Sequence, residues 1–156
     1  MSHAFTKLLT AAALVAMLAP AASRAVELDP KAVVYKLPDQ IKWGPVSPAG
    51  SQQAVLFGDP SKPGALYGVL NKWTKGNHFS KPHFHPNDRF ITVIKGTWYV
   101  GTGNKWDKDA TIGVKAGGAV THFGKEVHYD GAKDEEVIVI ITGEGPATNT
   151  PVEMAQ

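Results

Sequence analysis

The chain has 156 residues, of which 16 are basic and 14 acidic, and it contains no cysteine. The missing cysteines exclude disulfides, thiolate metal ligands and a cysteine nucleophile. The near balance of charge, without a basic patch interleaved with aromatic residues, argues against a nucleic-acid-binding protein.

Residues 1–25 predict a secretory signal peptide. Lys7 supplies a positive charge, an apolar run follows over residues 8–20, and Ser23 and Ala25 place small side chains where a signal peptidase reads them. The run is short for a membrane span, and an uncleaved anchor is the alternative. No cysteine lies near the cleavage site, which excludes a lipoprotein anchor. We expect a periplasmic or secreted protein that is free of the membrane after cleavage.

Cleavage after Ala25 leaves 131 residues with a formal net charge of zero, because the leader carries Lys7 and Arg24 and no acid. That length is enough for one domain with one core. Turn-forming residues interrupt an N-terminal extension over residues 26–49, and Val33–Tyr35 and Ile41–Trp43 are expected to form short strands within it. Ala54–Phe57 is expected to form a further strand.

From Ala65 onwards, short runs of β-branched and aromatic residues alternate with turn signals, which predicts a succession of strands. Tyr67 and Val69 should share one face of the first of them. Lys95-Gly96 is typical of a two-residue hairpin, and the apolar run 137–141 is typical of a strand buried on both faces. The predicted strands cover residues 65–73, 78–85, 89–94, 97–100, 105–107, 118–123, 127–129 and 137–141.

Many short strands at intervals of about ten residues predict an all-β sandwich or barrel. A barrel is favoured because its interior can hold a ligand. We expect one barrel over residues 50–146, followed by an irregular tail over residues 147–156. The tryptophans are expected in the core or at a dimer face; they are Trp43, Trp73, Trp98 and Trp106.

Three histidines predict a metal site inside this barrel. Alternate residues of a strand point to the same face, so His83 and His85 place two imidazoles together, with Phe84 directed to the other side. His128, 43 positions after His85, can add a third imidazole from a distant strand. Neutral imidazole suits Zn, Cu, Fe and Ni. The alternative is a set of strand histidines with structural hydrogen bonds.

Two segments resemble the motifs of the cupin superfamily. Residues 82–96, which contain His83-Phe84-His85 and end at Gly96, resemble the first motif, with its two histidines, acidic ligand and glycine. Residues 117–128, from Gly117 to His128, are similar to the second motif. The resemblance implies a double-stranded β-helix (a jelly-roll-like barrel). It also implies one divalent transition metal (Fe, Mn, Ni, Cu or Zn) held inside, and a homodimer.

The chain departs from the first motif at the acidic ligand, whose place is taken by Arg89. An arginine is permanently charged and has no lone pair to donate to a metal. His122 stands six positions before His128 and is a candidate fourth nitrogen ligand in place of the missing carboxylate. The alternative for His122 is a barrel histidine hydrogen-bonded to a neighbour.

A buried guanidinium must be paired, because an unpaired buried charge costs several kcal/mol. If Arg89 points inward, its partner is either a protein carboxylate, such as Glu126 or Asp88, or an anionic ligand clamped bidentately. A slip in register would instead send Arg89 to solvent.

Three hypotheses about function follow for such a chain. The first is a metal-dependent enzyme of dioxygenase, isomerase or lyase type that acts on a small organic molecule. The positive charge of Arg89 would favour an anionic substrate. The second is a non-catalytic periplasmic module that binds a metal or a small ligand. Metal-free acid–base catalysis, with the histidines as proton carriers, is a third hypothesis.

Overall fold

The computed structural model describes residues 26–155, so the predicted signal peptide lies outside the described residues. Residues 26–35 form a unit of their own. The backbone N–H groups of Ala32 and Val33 donate to the carbonyl of Asp29 in a turn. Residues 33–35 are not a strand, which corrects that prediction.

Residues 36–155 contain a short 3₁₀ turn, Pro38–Gln40, and are otherwise built from strands and loops. Across residues 26–155, no helix is long and apolar enough to cross a membrane. The eleven strands are β1 (Ser51–Gly58), β2 (Leu66–Trp73), β3 (His78–Phe79), β4 (His83–Phe84), β5 (Arg89–Lys95), β6 (Thr97–Thr102), β7 (Ile112–Lys115), β8 (Ala119–His122), β9 (His128–Ala132), β10 (Val137–Glu144) and β11 (Thr150–Pro151).

The strands form two antiparallel sheets. The first sheet has the order β1-β2-β10-β5-β8, and the second has the order β11-β4-β9-β6-β7, with β3 paired to β9. Apart from the consecutive pairs β1-β2 and β6-β7, neighbours in each sheet are distant in sequence, as the winding of a double-stranded β-helix requires. The predicted all-β, jelly-roll-like barrel is confirmed.

The core lies between the two sheets and follows the strand alternation. Tyr67 and Val69 of β2 are both buried, as predicted from their spacing. In β10, residues 137, 139 and 141 are buried, whereas Ile138 and Ile140 are half-buried, so only one face of this run is fully enclosed. The rings of Trp73 and Trp98 lie in the core with centroids 6.1 Å apart. Burying a large apolar side chain contributes about 1.5–3 kcal/mol.

The Lys95-Gly96 turn is not a hairpin, which corrects the prediction made from its two turn residues. β5 pairs with β10 and β8, whereas β6 pairs with β9 and β7, so the turn carries the chain from one sheet to the other. Gly96 has a φ of 76°, and a Cβ there would lie 2.4 Å from the carbonyl oxygen of Glu136. The glycine is needed for this crossing, because a side chain would collide with backbone.

Two further segments predicted as strands are irregular. Ile41–Trp43 is not a strand. The next residue, Gly44, donates its backbone N–H to the carbonyl of Gln53 in β1, but no ladder of hydrogen bonds forms. Residues 105–107 turn instead of extending, because the Asp107 N–H donates to the carbonyl of Lys105. The Asp107 carboxylate also accepts from the Asp109 N–H, an arrangement that favours a turn.

The tail predicted to be irregular contributes structure to the barrel. Thr150 and Pro151 pair with Phe84 and His83 as β11. The N–H of Val152 donates to the carbonyl of Pro82, which fixes the tail along β4. The last residues therefore lie against the strand that carries the first histidine motif.

Candidate metal centre

Two cross-strand pairs bring the predicted site residues together. His83 of β4 is directly opposite His128 of β9 in the second sheet. Arg89 of β5 is directly opposite His122 of β8 in the first sheet. Because opposite residues of an antiparallel pair share a face, each sheet presents two of these side chains to the interior. His85 follows β4 immediately and points into the same space.

These side chains line a cavity of about 300 Å³, which we call the inner cavity. Its walls include His83, His85, Arg89, His122 and Asp130, with Trp98 beneath them. His128 closes the histidine cluster and is 3% exposed, and His85 is also 3% exposed. All four predicted histidines are therefore inside the barrel, and Arg89 is inside with them.

Three of the histidines have their ligand atoms within 4.8 Å of one another; they are His83, His85 and His128. The Nε2 atoms of His85 and His128 are 3.1 Å apart. Two nitrogens bound to one ion with bonds of about 2.1 Å are separated by about 3.0 Å at a right angle. The spacing between these two nitrogens is therefore that of two ligands of one metal.

Backbone carbonyls fix the tautomer of each ring in this triad. The Nδ1 atom of His83 lies 2.7 Å from the carbonyl of Lys81. The Nδ1 atom of His85 lies 3.0 Å from the carbonyl oxygen of Thr148. The Nδ1 atom of His128 lies 3.0 Å from the carbonyl oxygen of Glu126. A carbonyl oxygen only accepts hydrogen bonds, so each Nδ1 carries the proton and each neutral ring has its lone pair on Nε2.

Burial keeps the rings of His85 and His128 neutral. It lowers the pKa of His85 to about 3, with the charge of Arg89 as the next cause. It lowers the pKa of His128 to about 4, with His83 next. At neutral pH the Nε2 lone pairs of His85 and His128 therefore face each other across 3.1 Å without a proton between them. A cation between them turns this repulsion into coordination, so the triad fits a divalent transition metal.

His122 lies against this triad. Its ring centroid is 3.6 Å from that of His128, and its Nε2 is buried without a hydrogen-bond partner in the described residues. Burial, then the neighbouring His128, lowers the pKa of His122 to about 2, so the ring is neutral. An unpartnered nitrogen on a neutral ring at this point is suited to a metal ligand.

Arg89 is 8% exposed, so it has not slipped to solvent. In the register of the first sheet Arg89 is opposite Gly143, and Gly143 is opposite Tyr67. A Cβ on Gly143 would lie 3.1 Å from the Tyr67 hydroxyl, so the missing side chain leaves the phenol room to lie beside the guanidinium. Burial lowers the pKa of Arg89 from its ordinary value, and Tyr67 and then Asp130 oppose that shift.

Neither carboxylate suggested by the sequence pairs with Arg89. Glu126 is exposed, and Asp88 accepts a hydrogen bond from the N–H of Gly124 at 2.7 Å on the other side of the strand. Among the described residues, no carboxylate oxygen lies within 4.0 Å of the Arg89 guanidinium. The buried cation is thus without an ion-pair partner supplied by residues 26–155.

Asp130 is a site residue that the sequence reasoning missed. It is two residues after His128 on β9, so the two side chains share the inner face. It is 6% exposed, and burial raises its pKa, although His83, Ser80 and Arg89 oppose this shift. The signal that could have found it is the pattern His128-Tyr129-Asp130, which repeats the spacing of His83 and His85.

The turn of the second motif, at residues 123–125, holds His85 in place. The N–H of Lys125 donates to the carbonyl of His85 at 2.6 Å. Lys125 has a φ of 66°, and a Cβ on Gly124 would lie 2.9 Å from the carbonyl of Pro86. The turn can approach the first motif this closely because Gly124 has no side chain.

A second, larger depression lies on the outside of the first sheet. We call it the outer groove; its volume is about 790 Å³, and Phe57, Leu66 and Phe90 form its apolar wall. Asp88, Lys125 and Glu144 also line it. No histidine lines it, and the three side chains of its apolar wall are exposed, with Leu66 at 73%.

No protein-family model matches the chain, and no curated protein matches it in sequence. Solved structures match it in fold. The polyketide cyclase RemF from Streptomyces resistomycificus is 14% identical over 80% of this chain and 88% of its own, with a TM-score of 0.62.

An RmlC-like cupin from Shewanella frigidimarina is 18% identical over 72% of this chain and 90% of its own, with a TM-score of 0.56. KdgF from Halomonas sp. is also 18% identical, over 72% of this chain and 95% of its own, with a TM-score of 0.55. These similar structures include enzymes. The resemblance seen in the two histidine motifs is confirmed at the level of the fold: this chain has a double-stranded β-helix fold similar to that of solved cupin structures.

Proposed function

We propose that this protein is a metal-dependent enzyme that acts on a small anionic organic molecule. The observation that carries the proposal is the pair of facing Nε2 atoms of His85 and His128, 3.1 Å apart, with both Nδ1 protons committed to backbone carbonyls. A buried pair of lone pairs at this distance is destabilising without a cation. The fold accepts that cost where an ion is bound.

His83, His85 and His128 would hold the ion, and His122 is the candidate fourth nitrogen. A transition metal bound by imidazoles with open positions supplies Lewis-acid activation of a substrate oxygen, or oxygen chemistry. With histidines as its main ligands the ion keeps most of its positive charge. That charge, together with Arg89, favours an anionic substrate.

Arg89 would bind the anionic group of the substrate. Its guanidinium presents a planar set of donors that fits a carboxylate or phosphate bidentately. Desolvation makes an unpaired buried cation costly, and residues 26–155 offer it no carboxylate within 4.0 Å. A substrate anion would supply the missing partner. Trp98 and the rest of the cavity wall exclude water from that contact.

The metal assignment is tested by elemental analysis of protein purified without a histidine tag. We expect about one transition-metal ion per chain in the unmodified protein, and strong loss of metal in His83→Ala and in His128→Ala. Full metal content in both variants would refute the triad as the metal site.

Catalysis is tested with the metal-loaded protein. Oxygen uptake and product formation are measured with a panel of small carboxylates, phenols and diketones. Turnover that depends on both metal and Arg89 supports the enzyme. Saturable binding of a carboxylate without turnover would instead identify the non-catalytic binding module, which uses the same cavity.

We also propose that the protein is exported to the periplasm or secreted, as its N-terminal pattern indicates, and that it forms a homodimer. Exposed apolar side chains on the outside of the first sheet support the dimer, with Val55 44% and Phe57 52% exposed. Light scattering after size-exclusion chromatography measures the mass in solution, and a monomeric mass would contradict the dimer. N-terminal sequencing of the exported protein tests for cleavage after Ala25.

A further inference from the structure

Asp130 is a buried carboxylate that the histidine triad leaves unexplained. One of its oxygens accepts a hydrogen bond from Ser80 Oγ at 3.1 Å. Within the described residues, no lysine, arginine or histidine nitrogen lies within 4.0 Å of its carboxylate. An ionised carboxylate buried with one hydroxyl partner is strongly disfavoured, so a further positive partner is to be expected.

Asp130 does not orient the histidines. A carboxylate near a metal site commonly accepts the second ring N–H of a histidine ligand and thereby fixes its tautomer. Here that task is done by backbone, because the Nδ1 atoms of His83, His85 and His128 each lie beside a carbonyl. Asp130 therefore does not fix the tautomers of these three rings.

Its position is instead that of a ligand. The ligand atoms of His122, His128 and Asp130 all lie within 4.8 Å of one another, and all three residues are buried. His128 belongs to both this group and the first triad. His122, whose buried Nε2 has no hydrogen-bond partner in the described residues, belongs to the second group only.

We infer that Asp130 is a direct metal ligand, in a second donor set with His122 and His128 that overlaps the set formed by His83, His85 and His128. The inference rests on the proposed metal centre and deepens it. In this chain the carboxylate comes from β9, whereas the corresponding position on β5 is occupied by Arg89. Either set would hold one ion, and His128 is common to both.

Charge favours one ion over two. The inner cavity holds a single carboxylate, Asp130, against the fixed cation of Arg89. A second divalent ion would have no anionic ligand among the residues that line the cavity. One ion shared by the two sets would need no additional negative charge.

The test uses the different preferences of two ions. Carboxylate ligands suit Mn²⁺, whereas imidazole suits Ni²⁺. Isothermal titration of metal-free protein with each ion measures both affinities in the unmodified chain and in Asp130→Asn. We expect Asp130→Asn to weaken Mn²⁺ binding at least tenfold, which is about 1.4 kcal/mol, and Ni²⁺ binding less than threefold. The exposed Asp134→Asn is the matched control and should change neither affinity.

Two further variants keep the test decisive if Asp130→Asn does not fold. His122→Gln removes the other ligand that the second set does not share with the first. It should lower the ratio of Mn²⁺ to Ni²⁺ affinity in the same way. Asp130→Glu retains a carboxylate and should preserve Mn²⁺ binding better than asparagine does. Unchanged Mn²⁺ affinity in Asp130→Asn, or an equal loss of both ions, would overturn the inference while the histidine triad stands. Failure of the unmodified protein to bind either ion would overturn the metal centre itself.

Discussion

The inner cavity and the outer groove lie on the two sides of one strand. Consecutive residues at the start of β5 alternate between them: Asp88 and Phe90 line the groove, and Arg89 lines the cavity. The groove is larger, at about 790 Å³ against about 300 Å³, but it is open and its wall is largely apolar. The cavity encloses buried histidines, a buried cation and a buried carboxylate. Function in this molecule is therefore located by the chemistry of the lining and not by the size of the space.

The largest expected effect follows from removing a triad histidine. His128→Ala should weaken Ni²⁺ binding at least about 100-fold, because even a supporting residue outside the ligands commonly costs about 10–100-fold in metal affinity. Titration calorimetry measures the change. Phe90→Ser, in the outer groove, is the control and should bind Ni²⁺ as the unmodified chain does. An equal loss in both variants would remove the distinction between the two spaces.

The next effect concerns the anion. Arg89→Gln should weaken binding of a small carboxylate to the metal-loaded protein by about 10–100-fold, because a charge-assisted hydrogen bond contributes about 1.5–3 kcal/mol. Fluorescence of the cavity tryptophans reports the titration. Lys125→Gln removes a cation that lines the groove and serves as the control. Unchanged affinity in Arg89→Gln would show that the guanidinium does not hold the ligand.

Acid should destabilise the metal-free protein through the inner cavity. His128, His85 and His122 have folded pKa values of about 4, about 3 and about 2, below the ordinary 6.5. The unfolded chain therefore binds more protons than the folded one below pH 6.5, so the free energy of unfolding falls as pH falls from 6.5 towards 4. Each histidine contributes up to about 1.4 kcal/mol per pH unit.

The raised pKa of Asp130 acts in the opposite direction, since its folded state holds a proton at a pH where the unfolded state has lost it. Urea unfolding at pH 6.5 and pH 5 measures the net slope. His122→Gln should reduce the slope, and Phe90→Ser should leave it unchanged. A stability independent of pH over this range would contradict the burial of neutral histidines.

The smallest effect is expected in the outer groove. Leu66→Ser should change the free energy of unfolding by no more than about 0.5 kcal/mol, because the side chain is 73% exposed. Urea unfolding and the solution mass are both measured. A shift of mass from dimer to monomer would give the groove a role at the protomer interface, and a loss of metal would contradict its separation from the cavity.

The histidines and most strands were predictable, because both follow the two-residue period of a strand. The direction of Arg89 was left open, because a slip of one residue in register would have turned it to solvent. Lys95-Gly96 was misinterpreted as a hairpin. In a sequence, a tight glycine turn looks the same whether it joins two paired strands or carries the chain from one sheet to the other. Asp130 follows His128 by two residues, the same spacing that identified His83 and His85. It was missed because the acidic metal ligand was expected in the first motif, at the position of Arg89. Ile41–Trp43 has the composition of a strand, but it does not form a ladder of hydrogen bonds with a neighbouring strand.

The carbonyl partners of the three histidines have a consequence for how this site can change. Main-chain oxygens at Lys81, Glu126 and Thr148 hold the rings, so exchanging those side chains leaves the anchoring intact. Retention of the proposed ion would then depend on the path of the polypeptide. Selectivity for the proposed organic ligand would depend separately on side chains such as Arg89 and Trp98. An engineer can redesign the second without dismantling the first.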